Sequence, residues 1–579
     1  MSIIKCRQLR YIFEATPTGT HWYHSHVGLQ RSKGLFGALI VKEDSAPDYL
    51  NIGEFEDKPD EHTLVITENG IVAAKSEPRE NLCYEDGSRV ASQISSFVPV
   101  VNGIELAGKT QKTFYVDYGK TYRFRLIGAM AGTAYQFSID SHKLIVVATD
   151  GYLVKRFETD YIIFHTGERY DFLLDATETS SKSYPIRIEL LTINCDSKMK
   201  RKAIVGIALL TYNYSPYSSS DAIFKYSNSR CNEKKKCTVF NCPFKAYADG
   251  VPKTCHHVDE LELVDETPED EVPDSDNIDL KRTLFFDFGS KLTVNNKHFE
   301  IPHIALQVSS YTGKINECNH DTDCSTSDNP KCVHIVDIGK QFYKKGMRFV
   351  LSSLGDMSRA IFTHPIHLHG HSFHVVKIGY PSYTSEGIIK DITQDLQRSE
   401  CGGPPSWKNG VPEIMAATEE TVRKDTIMVP AGGYVVIEFL ADNPGYWFFH
   451  CHIEPHLHRG MAAVIRETKA CQNQDIPSGL RESDKNFCWT VEDFIRQKMW
   501  KNPCEAALDD PAALQDQSKS DKPLPKERQA ELEKKVINRR KNLESTTEKD
   551  AILKDQPAKS KINFNPYLAI WPHFCRNNN

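Results

Sequence analysis

Short apolar or alternating segments follow one another along most of the chain, separated by stretches that contain Gly, Pro, Asn and Asp. The clearest segments are residues 37–41, 63–67, 96–101, 121–127, 161–164, 186–192, 347–352, 433–439 and 445–449. Segments of this length and spacing are typical of strands in β-sandwich domains, and helical periodicity is scarce before the C-terminal part. The pattern therefore predicts an all-β fold.

Two stretches stand out by composition as connections between domains. Residues 215–229 are rich in Ser and Tyr, and residues 259–279 form an acidic run with prolines, so together they predict a loose connection between two sandwiches. After about residue 504 the sequence is highly charged and poor in aromatic side chains. We expect a disordered or weakly helical extension there, with residues 526–540 as its most helix-like segment; a specific interaction module is the alternative.

The composition is that of a globular protein without a strong charge bias. The 579 residues are 40% hydrophobic and 26% charged, and the formal net charge is -6. This balance gives no electrostatic reason to expect nucleic acid or an anionic membrane as a partner, and no apolar run reaches the roughly 18 residues of a membrane-spanning helix. Sixteen cysteines, most of them spread singly, favour a secreted protein, although residues 1–10 carry no apolar signal core.

Histidines are the most informative residues, because many of the 22 fall in three short clusters. The clusters are HWYHSH at 21–26, HPIHLHGH at 364–371 and HCHIEPHLHRGM at 450–461. Alternate residues of a β-strand point to the same face, so each His-x-His pair places two imidazoles side by side. In His450-Cys451-His452 the imidazoles face one way and the thiol faces the other, so one strand can serve two metal sites.

The side chains on the two faces differ in chemistry. A thiolate, two imidazoles and a distant thioether form the ligand set of a blue-copper electron-transfer centre. Cys451 supplies the thiolate, His364 and His456 are available as imidazoles, and Met461 is available as the weak axial ligand. The opposite face gathers an imidazole-only set suited to a copper cluster that binds O2: His24, His26, His367, His369, His450 and His452.

This connectivity predicts a redox function. Reduction of O2 to water takes four electrons, whereas an organic donor commonly gives one at a time, so several redox metals must store charge before the product leaves. The peptide around Cys451 would join an electron-accepting site to an oxygen-reducing one.

The chain resembles the multicopper oxidase family, and most closely its animal laccase members. The resemblance is carried by residues 19–41, 364–376 and 445–465, with support from TGERYDFLL at 166–174 and NCPFKAY at 241–247. It implies three cupredoxin sandwiches, one type-1 copper, one type-2 copper and a type-3 pair. By motif, the type-1 ligands correspond to His364, Cys451 and His456 with Met461 axial, and the type-2 ligand to His367. The type-3 ligands correspond to His24, His26, His369, His450 and His452.

The resemblance also divides the chain into regions. We expect a remnant of the first sandwich at 1–55, a second sandwich at 56–215, a Cys-containing connection at 216–279, a third sandwich with the type-1 site at 280–475, and an extension at 476–579. The family has an earlier His-x-His-Gly motif, and none precedes His21. Setting Cys451 aside leaves an odd number of cysteines. We therefore expect an N-terminally incomplete chain, with a real short isoform as the alternative.

Several residues near the clusters have competing interpretations. For four histidines beside the ligands we expect packing or hydrogen-bonding roles rather than ligation: His21, His371, His374 and His458. Met461 has plain core packing as its alternative. Glu454 is placed to relay protons towards the oxygen site, or is a solvated or capping carboxylate. Asp160 resembles the carboxylate that takes the phenolic proton in some laccases, or is a turn carboxylate.

The remaining chemistry concerns cysteines and one asparagine. Two groups of cysteines lack the C-x-x-C spacing of zinc knuckles, so they predict disulfides: Cys231, Cys237, Cys242 and Cys255, and Cys318, Cys324 and Cys332. Residues 213–215 form an N-glycosylation sequon, a short motif that also occurs by chance.

The sequence thus predicts a secreted, copper-dependent, laccase-like oxidase that couples one-electron oxidation of phenols or diphenols to the reduction of O2 to water. A metal oxidase acting on ferrous or cuprous ions is an alternative, although nine methionines argue against a Met-rich binding site. A truncated copper-binding or electron-transfer protein without catalysis is the other alternative.

Overall fold

The computed structural model describes residues 15–42, 55–70, 97–106, 112–178, 183–191, 205–213, 231–264, 267–268, 271–289, 292–302, 306, 315–318, 331–355, 363–385, 387, 389–399 and 402–467. Nearly all regular structure in these residues is β-strand, which confirms the all-β prediction. Each of the nine sequence-predicted segments overlaps an observed strand. The 215–229 connection and the extension from residue 476 lie outside the described residues.

The first described element is an antiparallel hairpin. It consists of β1 (Gly19–His24) and β2 (Phe36–Val41), paired from Gly19 with Val41 to His24 with Phe36. The hairpin is joined to the next region through Thr20, whose buried hydroxyl donates to the Asp171 carboxylate at 2.6 Å.

The middle region is a sandwich of an eight-stranded and a seven-stranded sheet. Its strands are β3 (Phe55–Asp57), β4 (Thr63–Gly70), β5 (Phe97–Val101), β6 (Ile104–Glu105), β7 (Thr113–Val116), β8 (Thr121–Gly128), β9 (Tyr135–Ile139), β10 (Leu144–Thr149), β11 (Tyr152–Thr159), β12 (Tyr161–Phe164), β13 (Arg169–Asp175), β14 (Ser183–Leu190), β15 (Val205–Tyr212), β16 (Cys237–Phe240) and β17 (Lys253–His256). The sheet orders are β11-β10-β13-β8-β4-β5-β6, with β3 beside β8, and β17-β16-β12-β9-β14-β15-β7.

Aromatic side chains fill the space between these two sheets. Phe172 of one sheet lies 5.5 Å, ring centroid to ring centroid, from Phe137 of the other, and it stacks on Phe124 of its own sheet. All three rings are completely buried. Strands β16 and β17 come from the expected connection, and β16 pairs in parallel with β12, so this segment extends the middle sandwich.

The third region, which we call the third sandwich, is also built from two sheets, and the described residues end within it at residue 467. Its strands are β18 (Thr283–Asp287), β19 (Ile335–Asp337), β20 (Gly346–Ser352), β21 (His364–Leu368), β22 (Phe373–Gly379), β23 (Ser382–Tyr383), β24 (Ile389–Asp391), β25 (Leu396–Gln397), β26 (Ser406–Trp407), β27 (Arg423–Lys424), β28 (Thr426–Val429), β29 (Tyr434–Leu440), β30 (Gly445–Cys451) and β31 (Ala462–Glu467). The main sheets run β18-β20-β29-β22-β27 and β19-β31-β30-β21-β28, and Phe286 and Phe349 of the first pack on Phe449 of the second.

Helices are few and short among the described residues. They include α1 (Pro59–His62), α2 (Glu454–Arg459) and single 3-10 turns at Val258–Glu260, Ser275–Asn277 and Lys340–Phe342. In the part of the chain that the structure describes, no helix has the length and apolar character needed to cross a membrane.

Two features of the third sandwich bring the histidine clusters together. Strands β21 and β30 are antiparallel neighbours, with His367 opposite His450 and Ile366 opposite Cys451. Helix α2 begins just after β30, with a proline in its first turn, and ends at Arg459, which is followed by Gly460 in a left-handed conformation (φ 113°). The chain therefore reverses within ten residues, which returns Met461 to Cys451: the Cys451 N–H donates to the Met461 carbonyl at 3.1 Å.

Candidate metal centre

One group of three donor atoms lies inside the third sandwich. The Cys451 sulfur is 3.5 Å from His364 Nδ1 and 3.7 Å from His456 Nδ1, and the two nitrogens are 3.3 Å apart. Donor atoms that share a trigonal metal ion at about 2 Å are roughly 3.5 Å from one another, so these spacings fit a single ion. A thiolate with two imidazoles is the donor set that copper electron-transfer sites use. We call these three residues the thiolate group.

Three elements position the thiolate group. His364 is the first residue of β21, Cys451 is the last residue of β30, and His456 lies in α2. Met461, the predicted axial residue, is completely buried, and its N–H donates to the His456 carbonyl at 3.0 Å. The strand register and the tight turn after α2 therefore hold all four sequence-predicted residues in one place.

Burial sets the protonation of this group. It lowers the pKa of His456 to about 3 and that of His364 well below its ordinary value, so both imidazoles are neutral and able to bind metal. Burial also raises the pKa of the Cys451 thiol. Because a thiol must lose its proton to bind a metal, loading of this group releases a proton.

The second group consists of six imidazoles from three parts of the chain. Its members are His24, His26, His367, His369, His450 and His452, which we call the imidazole group. Neighbouring ring centroids are 4.6 to 5.7 Å apart. Donor nitrogens of His26, His369 and His450 lie within 4.8 Å of one another, and the Nε2 atoms of His369 and His450 are 3.3 Å apart. These spacings fit metal ions held by nitrogen donors alone.

The predicted alternation around Cys451 is present, but the strands are shorter than expected. Cys451 contributes to the thiolate group and its neighbour His450 to the imidazole group, as opposite faces of one strand require. In each His-x-His pair the second histidine lies just past the strand, because β1, β21 and β30 end at His24, Leu368 and Cys451. The pairs nevertheless remain adjacent, with 4.6 Å between the rings of His24 and His26.

Burial also keeps five members of the imidazole group neutral. It lowers the pKa of His24 to about 3, and it lowers the pKa values of His26, His369, His450 and His452 well below the ordinary value. A neighbouring cation, Arg31, further lowers the pKa of His452. Neutral imidazoles are the protonation state that metal binding requires.

Two charged residues that the sequence pattern did not single out contact this group. Arg31 is buried and donates to His452 Nδ1 at 2.7 Å and to the His452 carbonyl at 3.0 Å. The Asp425 carbonyl accepts from His367 Nδ1 at 2.7 Å, which leaves Nε2 of that ring for a metal. Both contacts join segments far apart in sequence, so no local signal indicated them.

Glu454 lies beside the imidazole group as the first residue of α2. It is 3% exposed, its carboxylate accepts from the Ser32 hydroxyl, and its N–H donates to the Ala131 carbonyl at 2.8 Å. Glu454 is therefore not a solvated surface carboxylate. It is tied to the loop of the first hairpin and to the middle sandwich.

Asp160 lies in a different environment, in a cavity of about 670 Å³ on the middle sandwich. Its carboxylate accepts from Lys143 Nζ at 3.0 Å and from the N–H and hydroxyl of Thr238 at 2.9 and 3.1 Å. Burial would raise the pKa of Asp160, but the Thr238 N–H and the Lys143 ammonium outweigh it, so the pKa is lowered. The residues that line this cavity include none of the thiolate or imidazole group.

The four neighbouring histidines have partners or packing of their own. His21 Nε2 lies 2.9 Å from the Pro17 carbonyl, His371 Nε2 lies 2.9 Å from the Glu467 carboxylate, and His374 Nδ1 lies 3.1 Å from the Thr421 carbonyl. His458 lies in α2, and its Nε2 is buried without a hydrogen-bond partner among the described residues. None of the four joins the donor groups formed by the described residues.

The other described cysteines form disulfides, as predicted, and do not form a second metal site. Among the described residues the pairs are Cys231–Cys237, Cys242–Cys255 and Cys318–Cys332. Cys324 lies outside the described residues. Cys451 is the one free cysteine in the described part of the chain, and it is buried.

The fold and the two donor groups define an all-β protein built to hold redox metal. Multicopper oxidase family models match residues 2–46, 42–215 and 306–470, in that order. The chain belongs to the multicopper oxidase family. Members of this family are copper-dependent oxidoreductases with O2 as the electron acceptor, and they carry type-1, type-2 and type-3 copper in cupredoxin-like sandwiches.

Curated relatives agree with this assignment. Laccase-2 of Botryotinia fuckeliana is 26% identical over 478 residues, which cover 82% of this chain and 69% of the relative. L-ascorbate oxidase of Brassica rapa subsp. pekinensis is 28% identical over 488 residues, covering 79% of this chain and 76% of the relative. The similarity to animal laccases in particular stays a prediction.

Solved structures with similarity to the chain include Fet3p, described as a multicopper oxidase that functions in iron import. That match has a TM-score of 0.47 and 21% identity, and it covers 78% of this chain and 72% of the other. The L499M mutant of the laccase from B. aclada matches with a TM-score of 0.44 and 19% identity, covering 78% of this chain and 70% of the other.

Proposed function

We propose that the protein is a laccase-like oxidase that takes electrons one at a time from phenols or diphenols and passes them to O2, which is reduced to water. The observation that carries this proposal is the covalent continuity of the two donor groups. Cys451 belongs to the thiolate group, and its two chain neighbours, His450 and His452, belong to the imidazole group.

In this proposal the thiolate group holds one kind of copper and the imidazole group holds the two other kinds. Type-1 copper would be held by His364, Cys451 and His456, with Met461 as a weak further ligand, and type-2 copper by His367. The type-3 pair would be held by His24, His26, His369, His450 and His452. When bound, copper supplies one-electron redox chemistry at the thiolate group and multi-electron oxygen chemistry at the imidazole group.

The protein contributes preorganised donors and a short path between them. Burial lowers the pKa values of His364 and His450, so these imidazoles are already neutral and do not have to lose an added proton before they bind metal. The backbone on either side of Cys451 leads directly to His450 and His452, which gives electrons a continuous covalent route. Cys451 and its two neighbours, His450 and His452, are buried, which shields the route between the two groups from bulk water.

Glu454 is the proposed proton donor for the oxygen-reducing step. Reduction of O2 to water consumes protons, and Glu454 is a buried carboxyl two residues from His452. Its contact with the Ser32 hydroxyl provides a neighbour from which a proton is passed on.

Asp160 is proposed as the base that takes the proton of an oxidised phenol. Loss of an electron sharply acidifies a phenolic hydroxyl, so a nearby carboxylate favours oxidation. The bonds from Lys143 and Thr238 support the competing structural role. The variant D160N distinguishes the two: a catalytic base changes the pH profile of kcat/KM for phenols, whereas a structural carboxylate changes the thermal midpoint alone.

The regions expected from the sequence remain part of this proposal. Residues 1–55 would belong to the first sandwich, 56–215 to the second, 280–475 to the third and 476–579 to an extension, while the connection at 216–279 would also contribute β16 and β17 to the second sandwich. A secreted, glycosylated protein is also proposed, and the three disulfides of the described residues support an oxidising location.

The test is oxygen consumption by the copper-loaded full chain with a diphenol, a monophenol, ascorbate, ferrous ion and cuprous ion, each compared at kcat/KM. We expect the phenols to be the best substrates, with four electrons taken per O2 consumed. A preference for ferrous or cuprous ion would replace the proposal by a metal oxidase. Copper binding without oxygen consumption would replace it by a copper-binding or electron-transfer protein.

A further inference from the structure

Arg169, the first residue of β13, is a buried cation whose hydrogen bonds reach three parts of the chain. It donates to both oxygens of the Asp425 carboxylate at 2.6 Å and, through Nε, to the Thr20 carbonyl at 3.1 Å. Its remaining N–H groups donate to the carbonyls of Gly167 at 3.0 Å and Asp150 at 3.1 Å. One guanidinium thus joins the hairpin, the middle sandwich and the third sandwich.

The Asp425 end of this link leads to His367. The Asp425 carbonyl accepts from His367 Nδ1 at 2.7 Å, and the Thr426 hydroxyl lies 3.1 Å from the same nitrogen. The Thr426 hydroxyl also donates to the Asp425 carboxylate at 2.8 Å. Because both neighbours act on Nδ1, they fix the ring plane and leave Nε2 facing the other imidazoles.

The Thr20 end of the link leads to His24 and His26. Thr20 lies four residues before His24 on β1. Its hydroxyl donates to Asp171 at 2.6 Å and accepts from Arg125 at 2.8 Å, while its carbonyl accepts from Arg169. The strand that carries these two histidines is therefore fixed to the same buried network as His367.

We propose that Arg169 is a positioning residue that sets His367 relative to His24 and His26, so that copper binding by the imidazole group depends on it. The thiolate group does not depend on it, because His364, Cys451 and His456 all come from the third sandwich. This inference rests on the proposed function, since it concerns the same copper sites. A metal site requires its ligands within about 0.5 Å of the productive geometry, so loss of the Arg169 hydrogen bonds should weaken copper binding by the imidazole group.

The contacts depend on the planar guanidinium of Arg169, which donates to both Asp425 oxygens and to the Thr20 carbonyl at once. A lysine keeps the positive charge but cannot bind a carboxylate bidentately and a carbonyl at the same time. The variant R169K therefore removes the three-way link while it retains the charge balance with Asp425 and Asp150.

The test is copper titration of the full-length wild type and R169K, with copper per chain, the blue copper–thiolate absorption and the copper electron paramagnetic resonance spectrum as readouts. We expect unchanged blue absorption in R169K, a roughly 10- to 100-fold weaker copper affinity for the imidazole group, and an altered signal from copper without a thiolate ligand. R348K is the matched control, because Arg348 forms a comparable buried pair with Glu438, at 2.7 and 2.6 Å, and does not contact either donor group.

Three outcomes decide the matter. Wild-type copper affinity of the imidazole group in R169K overturns this inference and leaves the proposed function intact. A wild type that binds only thiolate copper overturns the proposed function, and this inference with it. If R169K also loses the blue absorption, the variant D425N is tested in place of R169K. Its side-chain amide weakens the two hydrogen bonds from Arg169, while its backbone carbonyl still accepts from His367. D425N with full copper affinity at the imidazole group then overturns the inference, and a loss of copper from the imidazole group alone supports it.

Discussion

His367 and His450 lie directly opposite each other on the neighbouring antiparallel strands β21 and β30, with 5.7 Å between their ring centroids. The next pair in the same register joins Ile366 to Cys451. Because consecutive residues point to opposite faces, this register puts the His450 ring beside His367 and the Cys451 sulfur beside His364. One pair of strands therefore serves both donor groups.

The first prediction concerns the proton supply at Glu454. The variant E454Q keeps the shape of the side chain but cannot release a proton, so turnover with O2 should fall by about 100-fold or more. Reduction of the thiolate copper by phenol without O2 should keep its wild-type rate, which stopped-flow absorption measures. S32A is the control, since it removes one hydroxyl neighbour and should cause a smaller loss. Wild-type turnover in E454Q would exclude Glu454 as the proton donor.

The second prediction concerns the buried charges under the hairpin. Asp171 accepts from Arg123 at 2.7 Å and from Arg125 at 3.0 Å. Burial would raise the pKa of Asp171, but the two guanidiniums outweigh it, so the pKa is lowered. D171N removes the closest carboxylate of Arg123 and leaves Arg125 with Asp57 alone, so the free energy of unfolding at pH 7 should fall by about 3–5 kcal/mol.

The sign of the pH dependence follows from the lowered pKa. The stabilisation from Asp171 is present above the unfolded pKa of about 3.9 and is lost as the pH falls through the folded value. The difference between wild type and D171N in urea unfolding should therefore be constant from pH 7 to about 5 and shrink below about 4. D175N, on the same strand at an exposed position, should change stability by less than about 0.5 kcal/mol. Equal effects of D171N and D175N would contradict the role of the buried network.

The third prediction concerns the turn that returns Met461 to Cys451. Gly460 has a φ of 113°, and a Cβ there would lie 2.8 Å from the Phe299 nitrogen. G460A should cost roughly 1–3 kcal/mol and shift the absorption maximum of the thiolate copper, because the turn must move. Gly410 is the matched control: its φ is 92°, and a Cβ there meets nothing within 4 Å. The same absorption shift in G410A, or none in G460A, would show that the turn does not shape the site.

The sequence predicted the strands and the two donor groups because their signals are local. Apolar segments such as residues 161–164 are the full length of a strand, and the His-x-His spacing reports directly on facing side chains. The strand ends at His24 and Cys451 were not predicted, since the His-x-His spacing is the same whether or not the last histidine pairs with a neighbouring strand. Strands β16 and β17 were also missed, because they lie in a Cys-rich stretch that was interpreted as a connection between sandwiches.

The charged residues around the imidazole group were beyond the reach of sequence pattern. Arg31 contacts a histidine 421 positions away, and Arg169 contacts a carboxylate 256 positions away. A single Arg or Asp in a sequence does not reveal its partner, so these roles appear only when the fold brings the segments together. Disulfide pairing was open for the same reason, although the existence of the bridges was predicted.

The role of Cys451 as the link between the two donor groups is tested most directly by comparing copper-loaded wild type with C451S by absorption and copper content. We expect an intense blue copper–thiolate absorption in the wild type, its complete loss in C451S, and a drop of about one copper per chain while the remaining copper stays bound. A wild type without blue absorption, or a C451S variant that keeps it, would contradict the assignment of Cys451 as the residue that joins the two groups.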